Sequence, residues 1–308
     1  MKAGHGGPPP VHLGYDDAVD WVPLTLLCAF SLASADALTK RYLADYTGRE
    51  LLMVRFGLTG VLLAPGLWLA PLPPVPFVFW GWMALLVPLE IVAMLLYVLA
   101  IRDGPLSHTL PYLAFTPVFV TVTGWLVLGE RVSPRGLGGI FLVVAGAWVL
   151  NLEALDARRP ASWVEPFRAL AAEQGARRML ATAVIYSFTS VMSKAVLAYA
   201  TPLSFGPLYF VLIGGVTLLV LPRLEPRGWS ALARRPLANL AVAALFALMV
   251  ITHFLALARV EVAYMIAVKR TSLVFGVLYG ALLFGERRLA RSLSGSAMMV
   301  AGVALIVT

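Results

Sequence analysis

The sequence predicts an all-α integral membrane protein with ten transmembrane helices arranged as two inverted five-helix repeats. Three observations lead there. Of 308 residues, 60% are apolar and only 13% are charged. The apolar residues fall into ten stretches of membrane-spanning length. The second half of the chain repeats the first at an offset of 154 to 156 positions.

Composition comes first. A soluble domain carries roughly 45–50% apolar and about 25% charged residues, so this chain has too few charges to coat a soluble fold of its size. Disorder is excluded too, because it requires low hydrophobicity and many charges. The single cysteine, Cys28, rules out an intrachain disulfide framework and any cysteine-cluster zinc site. A net charge of +8 in a soluble protein would suggest nucleic acid. Here its location along the chain decides its meaning.

A membrane helix needs about 20 mostly apolar residues to cross roughly 30 Å of hydrocarbon. The stretches run over 21–39, 51–70, 77–100, 106–128, 135–151, 178–198, 203–222, 237–258, 260–284 and 289–307. Pro71, Pro73, Pro74 and Pro76 separate the second from the third, and Arg102-Asp103-Gly104-Pro105 the third from the fourth. The resulting organisation is a polar N-terminal segment (1–20), a first five-helix repeat (21–151), a polar linker (152–177) and a second repeat (178–308). The first segment lacks the apolar core of a signal peptide, so the first span is expected to stay as an anchor. In the linker, Arg168, Glu173, Arg177 and Arg178 alternate with apolar residues, which fits either a short interfacial helix or a solvated connection.

The repeat is read directly from identities. At an offset of 156, Gly129-Glu130-Arg131 falls on Gly285-Glu286-Arg287, Arg135 on Arg291, Gly139 on Gly295, and Val144-Ala145-Gly146 on Val300-Ala301-Gly302. At 154, Lys40 falls on Lys194 and Phe56 on Phe210. Five spans per half is an odd number, so the second copy must enter the membrane from the opposite face. Many secondary transporters use such a repeat, with the binding site near the midplane between halves.

Ala100-Ile101-Arg102 before span four, Thr116-Pro117 inside it, Gly129-Glu130-Arg131 after it and the glycine-rich span five resemble the EamA-type signature of the drug/metabolite transporter superfamily. Ala256-Leu257, Gly285-Glu286-Arg287 and span ten carry it in the second copy. The resemblance covers nearly the whole chain. It implies a ten-span transporter without cofactor, usually an exporter of small metabolites, driven by an ion gradient (protons included) or by the substrate gradient itself. It is nearly silent on substrate.

Gly139 and Gly146 are seven residues apart in span five, and Gly295 and Gly302 repeat that spacing in span ten. Seven residues is close to two turns, so each pair lies on one face. Small residues let helix backbones approach closely in lipid, and spans five and ten are expected to face each other along these glycines. Four-span members of the superfamily would make a similar seam between two chains. Gly276 and Gly280 form a separate pair suited to simple packing.

Ionisable groups in hydrocarbon usually face a cavity or a partner. Lys269 and Arg270 lie deep in span nine, and their repeat partners are Leu113 and Ala114, so this charge belongs to one half only. The asymmetry suggests a substrate or coupling role. Adjacent helical residues point about 100° apart, so only one of the two is expected to aim straight at a cavity. Arg55 matches a common arginine of the family; a role at the site or a structural ion pair both fit it. Glu90, at mid-membrane in span three, suits a proton carrier or a counter-ion to Arg55 or Lys269. His253 in span eight could carry a proton or be a satisfied core histidine. Lys40 and Lys194 match the family's lysine in the first span of each half and can snorkel to an interface. Glu130 and Glu286 suit helix-end bonding. Tyr112 and Tyr209 are candidate cavity aromatics among a set that includes Tyr97, Phe115, Trp125, Tyr186 and Tyr264. Trp21, Trp80, Trp82 and Trp163 fit an interfacial belt. Pro111 and Pro117 can bend span four.

The function expected is export of a small polar or anionic metabolite, such as an amino acid or related organic compound, across the inner membrane by alternating access. The alternatives are a lipid or lipid-linked carrier translocase of the same superfamily and a passive channel. The chain has no His-Glu-x-x-His pair, no Gly-x-Ser-x-Gly elbow and no phosphate-binding Gly-x4-Gly-Lys-Ser/Thr loop, so enzyme chemistry of those kinds and ATP drive are not expected. Nucleic acid is not an expected partner either. Sixteen Lys and Arg fall in the loops after odd-numbered spans, against Lys2, Arg131, Arg135 and Arg259 on the other side. The positive-inside rule therefore places both termini outside the cytoplasm, opposite to the family expectation. A Ser162→Cys variant should then be labelled only by a membrane-permeant thiol reagent; labelling by an impermeant one reverses the orientation.

Overall fold

The computed structural model describes residues 21–103, 112–151, 173–284 and 289–308, and these are helical with no strand among them. The helices are α1 (Trp21–Tyr42), α2 (Gly48–Leu69), α3 (Phe77–Asp103), α4 (Thr116–Leu128), α5 (Pro134–Asn151), α6 (Gln174–Val196), α7 (Pro202–Leu224), α8 (Pro236–Leu257), α9 (in two pieces, Val262–Lys269 and Ser272–Phe284) and α10 (Leu289–Val307). Seven of them, α1, α2, α3, α6, α7, α8 and α9, are long and apolar enough to cross a membrane; the apolar parts of α4, α5 and α10 are shorter.

Local sequence explains the boundaries. α2 starts earlier than its apolar run suggests, because Thr47 and Glu50 form a reciprocal capping box. The Glu50 carboxylate is fully buried there and is met by Arg227 at 3.2 Å. α6 also starts early, at Gln174, so the last residues expected in the linker are helical. Thr201 caps α7 by accepting from the Ser204 backbone, with Pro202 at the first helical position, where its missing donor costs nothing. Pro88 sits inside α3, and the helix continues through it. Trp21 is buried, unlike the belt residue expected, whereas Trp80 is exposed. Pro111 and Trp163 lie outside the described residues.

Irregular turns interrupt several helices, including one at Ala64-Pro65 near the end of α2, and three of them bear on the interior. α2 widens into a π-turn over Met53–Leu58, which carries Arg55. Such turns recur at functional sites. α4 is preceded by a turn at Ala114-Phe115, where Pro117 cannot donate and the Thr116 hydroxyl bonds to the Leu113 carbonyl at 2.6 Å. α9 breaks at the equivalent place in the second half, at Arg270-Thr271, where Thr271 bonds to the Val268 carbonyl at 2.8 Å.

α5 and α10 pack along their glycines. A Cβ on Gly146 would sit 2.6 Å from the Gly295 carbonyl oxygen, and one on Gly139 would sit 2.7 Å from that of Gly302. The contacts are returned: Gly295 meets the Gly146 carbonyl and Gly302 that of Gly139, each at 2.7 Å. The low-numbered glycine of one helix meets the high-numbered glycine of the other, so the two helices run antiparallel. A second glycine contact joins α2 to α7. There Gly60 lies against Phe210 and Gly214, and Gly214 against Phe56 and Gly60, with the Phe56 and Phe210 rings edge to face at 5.9 Å.

A Gly146→Ala variant is expected to lose stability by about 1–3 kcal/mol, the ordinary cost of overpacking, because the new methyl meets backbone that cannot yield. Gly276→Ala, with nothing within 4 Å of its would-be Cβ, should stay within about 0.5 kcal/mol of wild type. Thermal melts of the two variants side by side check this.

Candidate substrate cavity

α5 and α10 contribute no wall to the central cavity. Its lining comes from seven helices, α1, α2, α3, α6, α7, α8 and α9, and from the turn before α4, and its volume is about 110 Å³. α3 supplies Glu90, Met94 and Tyr97; α6 supplies Tyr186, Thr189, Ser190 and Ser193; α7 supplies Tyr209 and Phe210; α8 supplies Phe246, Met249, Val250, His253 and Phe254. Arg55 enters from the π-turn of α2, and Lys269 and Arg270 from the break in α9. Both members of that pair line the cavity, where a continuous helix was expected to direct only one. The helix stops at Lys269, and the turn that follows, in which Thr271 donates its backbone N–H to the Val268 carbonyl and Leu273 to that of Arg270, takes Arg270 off the path of a continuous helix.

The ionic groups are dealt with differently. Arg55, only 4% exposed, pairs with Asp36 of α1 at 2.5 Å and also donates to Thr39 at 3.2 Å. Its guanidinium lies over the Phe246 ring at 5.7 Å. Its counter-ion is therefore Asp36 and not Glu90. Glu90 instead accepts from the Tyr209 hydroxyl at 3.4 Å, which also reaches the Leu86 carbonyl at 3.3 Å. The Lys269 ammonium meets His253 Nδ1 at 3.3 Å and Met249 Sδ at 3.6 Å, so no carboxylate pairs with it among the described residues. Arg270 is 7% exposed and its Nε is buried without a partner; the Arg55 Nε is in the same position.

Of the residues singled out from sequence, Arg55, Glu90, Tyr209, His253, Lys269 and Arg270 come together here. Tyr112 does not. It is buried against Trp148 of α5, the rings 6.1 Å apart and edge to face. Trp125 is exposed on the outer surface, and Tyr264 binds the backbone and hydroxyl of Ser133. Thr189, Ser193 and Met249 carried no sequence signal of comparable strength; Asp36 stood out as an ionisable residue near the end of the first span, but nothing in the sequence pointed to its partner on α2.

One rim of the molecule is closed by charge. Glu130, just past α4, pairs with Lys194 near the end of α6 at 2.9 Å and accepts the Val262 backbone N–H at the start of α9 at 2.9 Å. Lys194 also donates to the Val260 carbonyl. The lysine expected to snorkel is thus held by protein. Glu286, the counterpart of Glu130 in the repeat, lies outside the described residues.

Long apolar helices around a small charged cavity define a multi-pass membrane protein. The EamA-like transporter family matches residues 20–152 and again 175–308, and the chain belongs to that family. It is similar to the probable 4-amino-4-deoxy-L-arabinose-phosphoundecaprenol flippase subunit ArnE of Enterobacter sp. (strain 638), 31% identical over 72 residues, which cover 23% of this chain and 67% of that one. A protein of known crystal structure shares the fold with a TM-score of 0.69 at 20% identity, over 92% of this chain and 98% of the other.

Removing Asp36 should strand the buried Arg55 charge. Asp36→Asn is expected to cost about 2 kcal/mol, less than the 3–5 kcal/mol of a fully buried pair, because the Asp36 side chain is 37% exposed. The Asp36→Asn/Arg55→Met double variant should recover part of that loss. A double-mutant cycle on thermal stability measures the coupling.

Proposed function

We propose that the protein is a secondary transporter of the inner membrane that exports a small polar or anionic metabolite, such as an amino acid or related organic compound, by alternating access. Its ten helices would form two inverted five-helix units, 21–151 and 178–308, with the solute bound between them. The observation that carries this proposal is the cavity itself: Lys269 and Arg270 enter it from one broken helix, and no carboxylate pairs with either among the described residues. A substrate anion would fill that role.

The inverted arrangement draws support from the reciprocal contacts. Gly60 meets Gly214 and Phe56 meets Phe210, and each is its partner's equivalent at an offset of 154. Gly139 meets Gly302 while their equivalents Gly295 and Gly146 meet each other. Contacts that return on themselves in this way are the mark of a two-fold relation. Paired breaks in α4 and α9 fit the discontinuous helices that line such sites. Glu90, as the carboxylate facing the cavity, is the candidate for proton coupling, and His253 beside Lys269 a second. Tyr112, buried against α5, has at most an indirect part.

A lipid-linked carrier as substrate is the second reading, favoured by the similarity to a flippase subunit. It would need a lateral opening between helices. Competition by water-soluble metabolites would exclude it, and saturable counterflow would exclude a passive channel.

In proteoliposomes, Lys269→Ala and Arg270→Ala are each expected to lower flux at least about tenfold, the effect of roughly 1.4 kcal/mol. Unchanged flux in both variants would overturn the assignment.

A further inference from the structure

Two arginines face one cavity, and each keeps a guanidinium Nε that is buried and has no acceptor. The two are not equivalent. Arg55 has Asp36 and Thr39 on its Nη2. Arg270 makes no side-chain hydrogen bond and no ion pair among the described residues. Its own backbone is engaged, with its N–H donating to the Ile266 and Ala267 carbonyls and its carbonyl accepting from Leu273. Tyr97 and Tyr186 lie within electrostatic reach of both guanidinium groups, and all four side chains line the same space. The other ionic residues of the cavity are already engaged: Glu90 with Tyr209, and Lys269 with His253 and Met249.

A buried arginine without an anion is costly, and removing the charge from such a site often stabilises a protein. Its five N–H groups form a rigid fork that matches the two oxygens of a carboxylate or phosphate. From this geometry we infer that Arg270, with Arg55, Tyr97 and Tyr186 around it, is a binding site for a single oxyanion group of the transported solute. Nε and one Nη of Arg270 hold the two oxygens, and the phenol hydroxyls donate from the sides. The inference rests on the transporter reading for the identity of the bound molecule, and it goes further by naming the chemical group recognised and the residue that grips it. Tyr97 and Tyr186 thereby become specificity residues, because hydroxyl donors favour an acceptor-only group over an amide, which brings its own donors.

The test separates binding from transport. Purified full-length protein in nanodiscs is melted with acetate, methylphosphonate or acetamide at matched ionic strength. Acetate or methylphosphonate should raise the melting temperature in a saturable, dose-dependent way, by about 3 °C or more near saturation, and acetamide should not. Whichever of the two anions acts at lower concentration identifies carboxylate or phosphate as the natural group. In Arg270→Gln the anion effect should disappear, and the ligand-free variant should melt at or above the wild-type temperature, because it no longer buries an unpaired charge. Tyr97→Phe should keep the ligand-free melting temperature and weaken the anion effect severalfold. An equal response to acetate and acetamide, or an anion effect that persists in Arg270→Gln, would overturn the inference. So would a ligand-free Arg270→Gln that melts well below wild type, since the arginine would then have a structural partner. If the anions bind as expected but counterflow is absent, the transporter reading fails and the site stands.

Discussion

Direct backbone contact through glycine governs where the other parts of this molecule can go. At Gly139, Gly146, Gly295 and Gly302 the carbonyl of one helix lies where a side chain of the other would begin. In lipid, where burying apolar surface gives helices no reason to associate, such packing and the polar contacts it permits are the main source of cohesion. Because α5 and α10 spend these faces on each other, they stand outside the ring that lines the cavity. The remaining helices must then satisfy one another's charges. Asp36 does so with Arg55, Glu130 with Lys194 and Glu50 with Arg227, whereas Lys269 and Arg270 meet no carboxylate among the described residues.

Much of the architecture was legible in the sequence because hydrocarbon is an exacting solvent. It demands long apolar runs and penalises every stray charge, so spans and deep ionic residues stand out in composition alone. Gly-Glu-Arg appearing twice at one offset exposed the repeat. The details that stayed hidden are those that depend on backbone irregularity. Gly57 by itself does not announce a π-turn in Met53–Leu58, and nothing in Val268-Lys269-Arg270-Thr271 announces a break, since no proline or glycine interrupts that second run. The two adjacent cations that line the cavity sit at this break.

Partner choice was harder to foresee than location. Glu90 looked like the counter-ion of an arginine because it is the conspicuous carboxylate at mid-membrane. Arg55 instead takes Asp36, which is nearer the end of its helix and partly exposed. This leaves Glu90 hydrogen-bonded to the Tyr209 hydroxyl. Tyr112 was misplaced for a related reason: a tyrosine in a span carries no label for the face it will take, and the Trp148 ring on α5 drew it away from the cavity.

The π-turn in α2 bears on how this chain should be aligned with others. A π-turn holds one residue more than the α-turn it replaces, and each residue of an α-helix adds about 100° of rotation. From the Thr47 cap to Gly60, the extra residue is what allows Glu50 to face Arg227 and Gly60 to face Gly214 in the same helix. A related chain that is one residue shorter between 53 and 58 can form a plain helix with both ends still correctly aimed. A single-residue gap beside Arg55 in such a chain is therefore compatible with the same helix and the same two contacts.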